Sequence, residues 1–196
     1  MVDFLQIRDF LGPDTVTEVL GELARAAGAP ATVLGGDAAG VVQQAVRRTT
    51  RVPTPAHVRE GLTRLFLGVK PELESHFGLP LGECEEPQFL RYEEGDYFVA
   101  HQDGNTPLVF DRSRFRRVSV VLFLSTPASV PSPHTYGGGA LVFHGSRSEP
   151  TLRVPVTPPA GSLIAFRSET THEVTPVTHG ERYTIVTWFR AAEEPR

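Results

Sequence analysis

The sequence predicts an α+β domain in which helices back a β-sandwich or barrel. Its first part contains two segments whose apolar residues recur at helical spacing. From Pro87 onward, short apolar and β-branched runs alternate with glycine, proline and serine, a pattern typical of strands joined by loops. Helices that precede a series of strands favour separate layers over alternating βαβ units. We therefore expect one domain over residues 1–196, with mainly helical support in 1–86 and a β core in 87–190.

Two helices are predicted in the supporting region. The first begins at Pro13-Asp14, with Asp14 as the expected N-cap, and ends at Gly28. Its apolar residues are Val16, Val19, Leu20, Leu23 and Ala27. The second begins at Thr54-Pro55, because proline is favoured at the first helical position. Its apolar face comprises Val58, Leu62, Leu65, Phe66 and Val69. Pro71 predicts a kink or break before Phe77, because proline lacks the N–H that a helix interior needs.

Six strands are predicted in the β core. They are Gln88–Ala100, Val118–Leu124, Ala140–Phe143, Leu152–Val156, Ser162–Phe166 and Tyr183–Phe189. The second is apolar at nearly every position, which is expected for a strand covered on both faces. The segment Ser125–Gly139 is rich in proline, serine and glycine and too long for a tight hairpin. We expect it to be a mobile loop near the mouth of the site, with Val130 and Tyr136 as its sizeable apolar anchors.

Composition narrows the class of protein. A hydrophobic content of 40% is ordinary for a globular domain of 196 residues. No apolar run approaches the roughly 20 residues of a membrane span, and the N-terminal residues lack the pattern of a signal peptide. Cys84 is the only cysteine, which excludes an intrachain disulfide and a thiolate-rich metal site within the chain. Together these features predict a cytoplasmic protein without a membrane partner.

The charge balance argues against general binding of nucleic acid. The formal net charge is −4 at pH 7. Two basic clusters are interpreted as solvated surface, although attraction of an anionic substrate or cosubstrate remains open. These clusters are Arg47, Arg48 and Arg51, and Arg112, Arg114, Arg116 and Arg117.

The stretch Tyr92–Asp103 carries the strongest functional signal. It ends on His101 and Asp103, and residues two apart on a strand point to the same face. His172 follows about seventy residues later, and Arg182 lies ten residues beyond it. Two histidines and one carboxylate, with no thiolate, form the ligand set of a facial triad for non-haem Fe(II). On the last predicted strand, alternation gives one face to Arg182, Thr184, Val186 and Trp188.

The chain from about Leu90 to Arg190 resembles the prolyl-4-hydroxylase-like branch of the Fe(II)/2-oxoglutarate dioxygenases. The first part of the resemblance consists of Tyr92, Gly95, Phe98, His101 and Asp103. The later part consists, in order, of Gly138–Phe143, Gly161, His172–Val177, Arg182 and Trp188-Phe189. The elements follow the family's order over about half of the chain. The resemblance implies a double-stranded β-helix, or jelly roll, backed by the N-terminal helices.

The resemblance also implies roles for single residues. His101, Asp103 and His172 match the Fe(II) ligands of the family. Three further residues match positions that contact the cosubstrate 2-oxoglutarate: Arg182, Thr184 and Tyr92. Arg182 would bind the distal carboxylate, because a planar guanidinium suits a bidentate contact.

The sequence departs from the family pattern at Phe123. Many members carry a hydroxylated residue there, which touches the same carboxylate. Phe123 has no hydroxyl, so Arg182, Thr184 and Tyr92 would have to suffice. Asp103 keeps the carboxylate that related halogenases replace with a small residue, which favours hydroxylation.

The expected enzyme is a 2-oxoglutarate-dependent dioxygenase that hydroxylates a C–H bond and releases succinate and CO₂. It would use Fe(II), 2-oxoglutarate and O₂, with ascorbate as a supporting reductant. The prime substrate would be a prolyl residue of a protein or peptide, or else a free amino acid or natural-product intermediate. The sequence specifies neither this substrate nor the oligomeric state. A non-catalytic jelly-roll binding module and a nucleic-acid demethylase are the less favoured alternatives.

We expect the remaining histidines and the tryptophan to have no direct role in the chemistry. Trp188 is expected to be a core residue or a pocket wall without a catalytic role. Outside the ligand pattern, surface or structural positions are expected for His57, His76, His134, His144 and His179.

Overall fold

Two helices and a set of mainly antiparallel strands form the structure, a computed structural model that describes residues 2–31, 45–107 and 111–192. Helix α1 spans Pro13–Arg25 and helix α2 spans Ala56–Phe77, with a 3₁₀ turn at Arg112–Phe115. The strands are β1 Phe4–Ile7, β2 Ala29–Pro30, β3 Arg47–Arg48, β4 Thr50–Arg51, β5 Leu81–Cys84, β6 Gln88–Tyr92, β7 Tyr97–His101, β8 Arg116–Phe123, β9 Thr126–Pro127, β10 Thr135–Gly138, β11 Leu141–His144, β12 Arg153–Val156, β13 Leu163–Arg167, β14 His172–Val174, β15 Val177–Gly180 and β16 Arg182–Ala191.

Three sheets organise these strands. The largest has the order β1-β13-β8-β16-β6-β4-β2, and β5 also pairs with β16. A second sheet has the order β12-β11-β14-β7-β3, and a third, small sheet has the order β15-β10-β9. Every pairing is antiparallel except that between β9 and β10. The described chain is therefore mainly β-sheet with two α-helices.

Strand β8 explains how the layers stack. Its side chains alternate, so that Val120 and Leu122 belong to a core shared with the two helices. Val121 and Phe123 point the other way, into a cluster with residues of the second sheet. The expectation that this strand is covered on both faces is confirmed. The helices cover one face of the largest sheet, and the second sheet covers the other.

The boundaries of α1 differ from the predictions in two places, and α2 begins at Ala56 with Pro55 as its N-cap, not as its first helical residue. The N-cap of α1 is Gly12, and Asp14 lies in the first turn, so the predicted N-cap is wrong. Helix α1 also ends at Arg25, three residues before Gly28. Pro13 takes the first helical position because its missing N–H would be unsatisfied there in any case.

Pro71 neither breaks nor ends α2, which runs on to Phe77. The proline removes the hydrogen bond to the carbonyl of Leu67. Both residues lie on the exposed side of the helix, where water can satisfy this carbonyl. Leu65 is also 44% exposed, so it is not part of the predicted apolar face. Gly78 ends the helix in the left-handed conformation, with φ of 64°.

The predicted strand Gln88–Ala100 is two strands that belong to different sheets. A turn at residues 93–96 separates β6 from β7. The Asp96 carboxylate accepts a hydrogen bond from the N–H of Glu93 at 3.0 Å and pairs with Arg48 at 3.0 Å. This turn transfers the chain from the largest sheet to the second one, which moves His101 away from the sheet that holds Tyr92. The described part of residues 1–86 also contributes five short strands to the β-structure.

The predicted loop Ser125–Gly139 contains two strands. Strand β10 pairs with β15, and β9 pairs with β10. Tyr136 is fully buried, as expected of an anchor, whereas Val130 is 71% exposed and anchors nothing. The irregular part is limited to residues 128–134. Mobility of this shorter segment stays a prediction.

Neither described helix is both long enough and apolar enough to cross a membrane.

Phe66→Ala should lower the free energy of unfolding by about 3–5 kcal/mol, because it empties a fully buried aromatic site between helix and sheet. Its neighbour on α2 provides the control: Leu65 is 44% exposed, and Leu65→Ala should change stability by less than about 1 kcal/mol. Urea unfolding of both variants measures the difference. Equal losses would contradict the assignment of the buried face.

Candidate metal and cosubstrate site

The pairing of β7 with β14 brings two histidines together. His101 and His172 are register partners in this antiparallel pair, and their ring centroids lie 4.2 Å apart. Asp103 follows the end of β7. Its carboxylate oxygens lie 3.5 Å from Nε2 of His101 and 3.6 Å from Nε2 of His172. One ligand atom from each residue falls within 4.8 Å of the others, and no other such group of three occurs among the described residues.

Hydrogen bonds to backbone carbonyls orient both imidazole rings. Nδ1 of His101 donates to the carbonyl of Val99 at 2.8 Å, and Nδ1 of His172 donates to that of Thr170 at 2.9 Å. Because a carbonyl only accepts, each Nδ1 carries the proton and each Nε2 keeps its lone pair for a ligand.

The backbone at Asp103 is held by the end of β13. The N–H groups of Asp103 and Gly104 both donate to the carbonyl of Ser168, at 2.9 and 3.1 Å. Position 104 needs glycine, since a Cβ there would lie 2.2 Å from the carbonyl oxygen of Ser113. The chain therefore passes close to the backbone of Ser113 directly after Asp103.

The protonation states of these residues suit metal binding. Burial and, after it, the neighbouring His101 lower the pKa of His172 to about 4, against the opposing effect of Asp103. Burial raises the pKa of Asp103, but His172 and His101 together outweigh it and hold that pKa well below its usual range. At neutral pH, His172 is therefore neutral and Asp103 is ionised. Metal ligands must be in these states, because a proton on the ligand atom competes with the ion.

A second group of side chains supports Asp103 from behind. Trp188 lies beside it, and its indole N–H helps to lower the pKa of that carboxyl. The guanidinium of Arg116 stacks on the Trp188 ring at 3.6 Å and donates to the backbone carbonyl of Asp103 at 3.4 Å. Glu85 binds Arg116 through both carboxylate oxygens, at 3.0 and 2.7 Å, and also binds Arg190 at 3.1 Å. These contacts restrict how Asp103 can move.

Sequence reasoning missed most of this support. Arg116 was assigned to a solvated basic cluster, yet it is buried. Trp188 was predicted to be core or pocket wall, and its position on the same face as Arg182 was the one available signal. Glu85 had no local pattern that could reveal it, since its partners lie 31 and 105 residues away.

Arg182 lies on the inner side of the largest sheet, as the period of the last strand predicted. It is 1% exposed, and its guanidinium carbon lies 5.0 Å from the ring of Tyr92 and 5.0 Å from that of Phe123. Its Nη1 donates to the hydroxyl of Thr184 at 3.4 Å, and its Nε has no hydrogen-bond partner among the described residues. The strand register explains this grouping, because Arg182 pairs with Tyr92 and Thr184 pairs with Phe123.

No carboxylate of the described residues pairs with Arg182. A buried charge without a partner is costly, so this guanidinium is suited to an anionic ligand. The arrangement therefore fits 2-oxoglutarate. The His–Asp–His group can bind a divalent ion, and Arg182 can donate hydrogen bonds to the far carboxylate. Phe123 borders this position with a ring and supplies no hydroxyl, in agreement with the departure noted in the sequence.

The other histidines lie outside the ligand group. His144 pairs with Glu173 at 3.2 Å, and His76 pairs with Asp3 at 3.0 Å. His57 and His134 are exposed. Nε2 of His179 is buried and has no hydrogen-bond partner within residues 2–31, 45–107 and 111–192. The structural or surface interpretation agrees with these positions.

In metal-free protein, the free energy of unfolding should fall as the pH decreases from about 6.5 to about 4. Unfolded His172 takes up a proton near its ordinary pKa of 6.5, whereas the folded side chain does so only near 4. The unfolded state then binds more protons across this window, so stability rises with pH. Asp103 contributes below this window, because its pKa is lowered from 3.8. Urea unfolding at several pH values should show a smaller slope for His172→Gln, and identical slopes would contradict the assignment.

Comparison with known proteins identifies the family. A family model described as the 2OG-Fe(II) oxygenase superfamily matches residues 87–190. A PKHD-type hydroxylase of Paracoccus denitrificans is 30% identical over 189 residues, which cover 95% of this chain and 78% of that protein.

Solved structures show the same fold. A Pseudomonas putida prolyl-4-hydroxylase aligns over 97% of this chain and 94% of its own, with a TM-score of 0.69 and 24% identity. A Trichoplax adhaerens prolyl hydroxylase, in complex with a peptide fragment of the hypoxia inducible factor oxygen degradation domain, aligns over 95% and 83%, with a TM-score of 0.74 and 20% identity. The family expected from the sequence is thereby confirmed: the chain belongs to the 2OG-Fe(II) oxygenase superfamily.

Proposed function

We propose that six residues carry the activity of the superfamily in this chain. His101, Asp103 and His172 would bind Fe(II). The residues that would hold 2-oxoglutarate are Arg182, Thr184 and Tyr92. One observation carries the proposal: two imidazoles and a carboxylate lie within 4.8 Å of one another, and the same buried cluster that contacts His172 also contacts Arg182, a buried guanidinium without an acidic partner among the described residues. A structural ion pair would instead match Arg182 with an acid of the chain.

The enzyme is a 2-oxoglutarate-dependent hydroxylase. When bound, Fe(II) and 2-oxoglutarate supply the oxidising power that hydroxylates a C–H bond with O₂, and succinate and CO₂ are released. The chain's own residues bind, orient and shield these groups. The Nδ1 bonds of His101 and His172 keep both Nε2 atoms aimed at one point. Arg116, stacked on Trp188, holds the backbone carbonyl of Asp103, and the rings of Tyr92 and Phe123 exclude water around Arg182.

For the whole chain, we propose a single oxygenase domain of the jelly-roll type. This is supported by the core that the largest sheet shares with the second sheet and by the helices on its other face. The lone Cys84 agrees with a reducing compartment, and the cytoplasm is the location that we propose.

A prolyl residue of a protein or peptide is the proposed prime substrate. Support comes from the proteins of similar structure, which include a prolyl-4-hydroxylase and a prolyl hydroxylase in complex with a peptide. A free amino acid or natural-product intermediate is the alternative. The test compares proline-containing peptides with free L-proline and with small molecules from a cell extract. Hydroxylation appears as a mass increase of about 16 Da that accompanies succinate formation. Turnover of free L-proline alone would overturn the peptide assignment.

His172→Ala should reduce the affinity for a divalent metal more than about 100-fold, because it removes one of three ligands, and even outer partners of ligands are worth 10- to 100-fold. Anaerobic calorimetry with Fe(II) or Mn(II) measures the binding. His57→Ala is the control, since His57 is exposed on α2. Unchanged affinity in His172→Ala would refute the ligand assignment.

Arg182→Ala should raise the KM for 2-oxoglutarate about 100-fold or more, because loss of one partner of a buried charge pair costs several kcal/mol. Arg182→Lys should lie between this variant and the parent, since it keeps the charge but loses the bidentate geometry. The KM for the prime substrate should stay the same. Arg64→Ala, on the exposed side of α2, serves as the control. If Arg182→Ala leaves the KM for 2-oxoglutarate unchanged, Arg182 does not anchor the cosubstrate.

A further inference from the structure

Tyr136 is a buried polar residue that the proposed function does not yet use. Its side chain is fully buried, and among the described residues its hydroxyl makes no hydrogen bond of normal geometry, although the guanidinium of Arg182 is near enough to interact with it. A buried hydroxyl without a partner is destabilising, so most such groups in native structures meet a protein group, a water or a ligand. An unpartnered hydroxyl in the interior therefore calls for an explanation.

The position of Tyr136 is next to Arg182. Strand β10 pairs with β15, where Tyr136 lies opposite Gly180. A Cβ at Gly139 would lie 2.9 Å from Cδ of Arg182 and 3.2 Å from Cε2 of Tyr136. Both side chains thus lie against Gly139, which has a φ of 56°. Because glycine has no Cβ, the two side chains can occupy the space beside it.

The hydroxyl of Tyr136 is in the right state to donate. Burial raises its pKa, and the positive charge of Arg182 together with a hydrogen-bonding contact from that guanidinium only partly offsets this effect. The phenol therefore keeps its proton at neutral pH. Because no acid of the described residues pairs with Arg182, a ligand carboxylate bound there would meet two kinds of donor, the guanidinium and the phenol.

Phe123 gives this donor a role. The sequence resemblance leads us to expect a hydroxylated residue at position 123, yet Phe123 presents a ring 5.0 Å from the guanidinium carbon. The pocket around Arg182 is otherwise completed by the ring of Tyr92 and the hydroxyl of Thr184. Tyr136 reaches the same charge from a different sheet and brings the hydroxyl that position 123 lacks.

We propose that the hydroxyl of Tyr136 donates a hydrogen bond to the distal carboxylate of 2-oxoglutarate, in place of a hydroxyl at position 123. The inference rests on the proposed role of Arg182 as the anchor of that carboxylate. It also gives the segment Ser125–Gly139 a function, because the cosubstrate would tie β10 to the largest sheet. Binding of 2-oxoglutarate then stabilises the small sheet of β15, β10 and β9.

The first test uses Tyr136→Phe, which removes only the hydroxyl. Calorimetry with the Mn(II)-loaded protein under anaerobic conditions measures the Kd for 2-oxoglutarate. We expect this Kd to rise about 10- to 100-fold, as for other hydrogen bonds to a charged group. Affinity for Mn(II) should stay unchanged, and the metal-free variant should be at least as stable as the parent, since an unsatisfied hydroxyl is gone. An unchanged Kd for 2-oxoglutarate would overturn the proposal.

Tyr183→Phe is the matched control. Tyr183 is a buried tyrosine adjacent to Arg182 in sequence, but its hydroxyl donates to Glu181 at 3.0 Å. Its side chain belongs to the core on the helix side of the sheet. Removing this hydroxyl should change the Kd for 2-oxoglutarate less than twofold. An effect as large as that of Tyr136→Phe would mean that loss of any buried hydroxyl near Arg182 weakens 2-oxoglutarate binding. That result would overturn the direct contact proposed for Tyr136.

A rescue tests the exchange of positions directly. Phe123→Tyr returns a hydroxyl to the family position, and the double variant Tyr136→Phe/Phe123→Tyr should recover most of the lost affinity for 2-oxoglutarate. If the double variant stays as weak as Tyr136→Phe and remains folded, the two positions are not equivalent and the substitution of one for the other is wrong.

Hydrogen exchange provides a readout that is independent of turnover. In the Mn(II)-loaded parent, 2-oxoglutarate should slow exchange of the amides in Thr135–Gly138, and at saturating ligand this protection should be lost in Tyr136→Phe. Equal protection in both proteins would contradict the link through Tyr136. Arg182→Ala distinguishes failure of the cosubstrate site from failure of the Tyr136 contact alone. If it too leaves the Kd for 2-oxoglutarate unchanged, the proposed cosubstrate site fails. If only Tyr136→Phe is without effect, the present inference alone fails.

Discussion

The register between β7 and β14 is the constraint on which the site depends. Antiparallel pairing sets His172 opposite His101, and side chains alternate between faces along each strand. A slip of one residue would turn one imidazole away from the other, so the pairing itself decides whether the two ligands meet. Asp103 joins them because the end of β13 captures the backbone just beyond β7. The ligand group is therefore held by sheet pairing and not by a flexible loop.

The two buried charges of the site, Asp103 and Arg182, have different neighbours, and this difference indicates what each of them binds. Asp103 faces two imidazoles, and behind it Trp188 and Arg116 limit its motion. Arg182 meets ring faces and a hydroxyl, with no acid of the described residues nearby. Burial of an uncompensated charge is stable only when a ligand or the rest of the fold offsets its cost. One end of the interior thus suits a cation, and the other suits a carboxylate.

The third, small sheet changes how the segment Ser125–Gly139 should be understood. Its proline, serine and glycine content resembles that of a mobile loop, and residues 129–134 are exposed. Strand β10 nevertheless carries Tyr136 into the core, beside Arg182 and Gly139. Composition reports the average environment of a segment, whereas one buried aromatic side chain can anchor it. The same segment therefore combines an exposed tip with a base that borders the site.

The sequence by itself determined the two helices, seven of the sixteen described strands, the family and the candidate ligands, because these depend on local periodicity and on residues in a fixed order. Only the tertiary structure decided that residues 88–100 divide between two sheets, and that α2 continues through Pro71 because its exposed side lets water replace the lost bond. It also decided the neighbours of Asp103 and Arg182. A strand pattern specifies which face a side chain takes, but not which side chain of a distant strand it meets. Glu85 and Tyr136 lack a local signal for that reason.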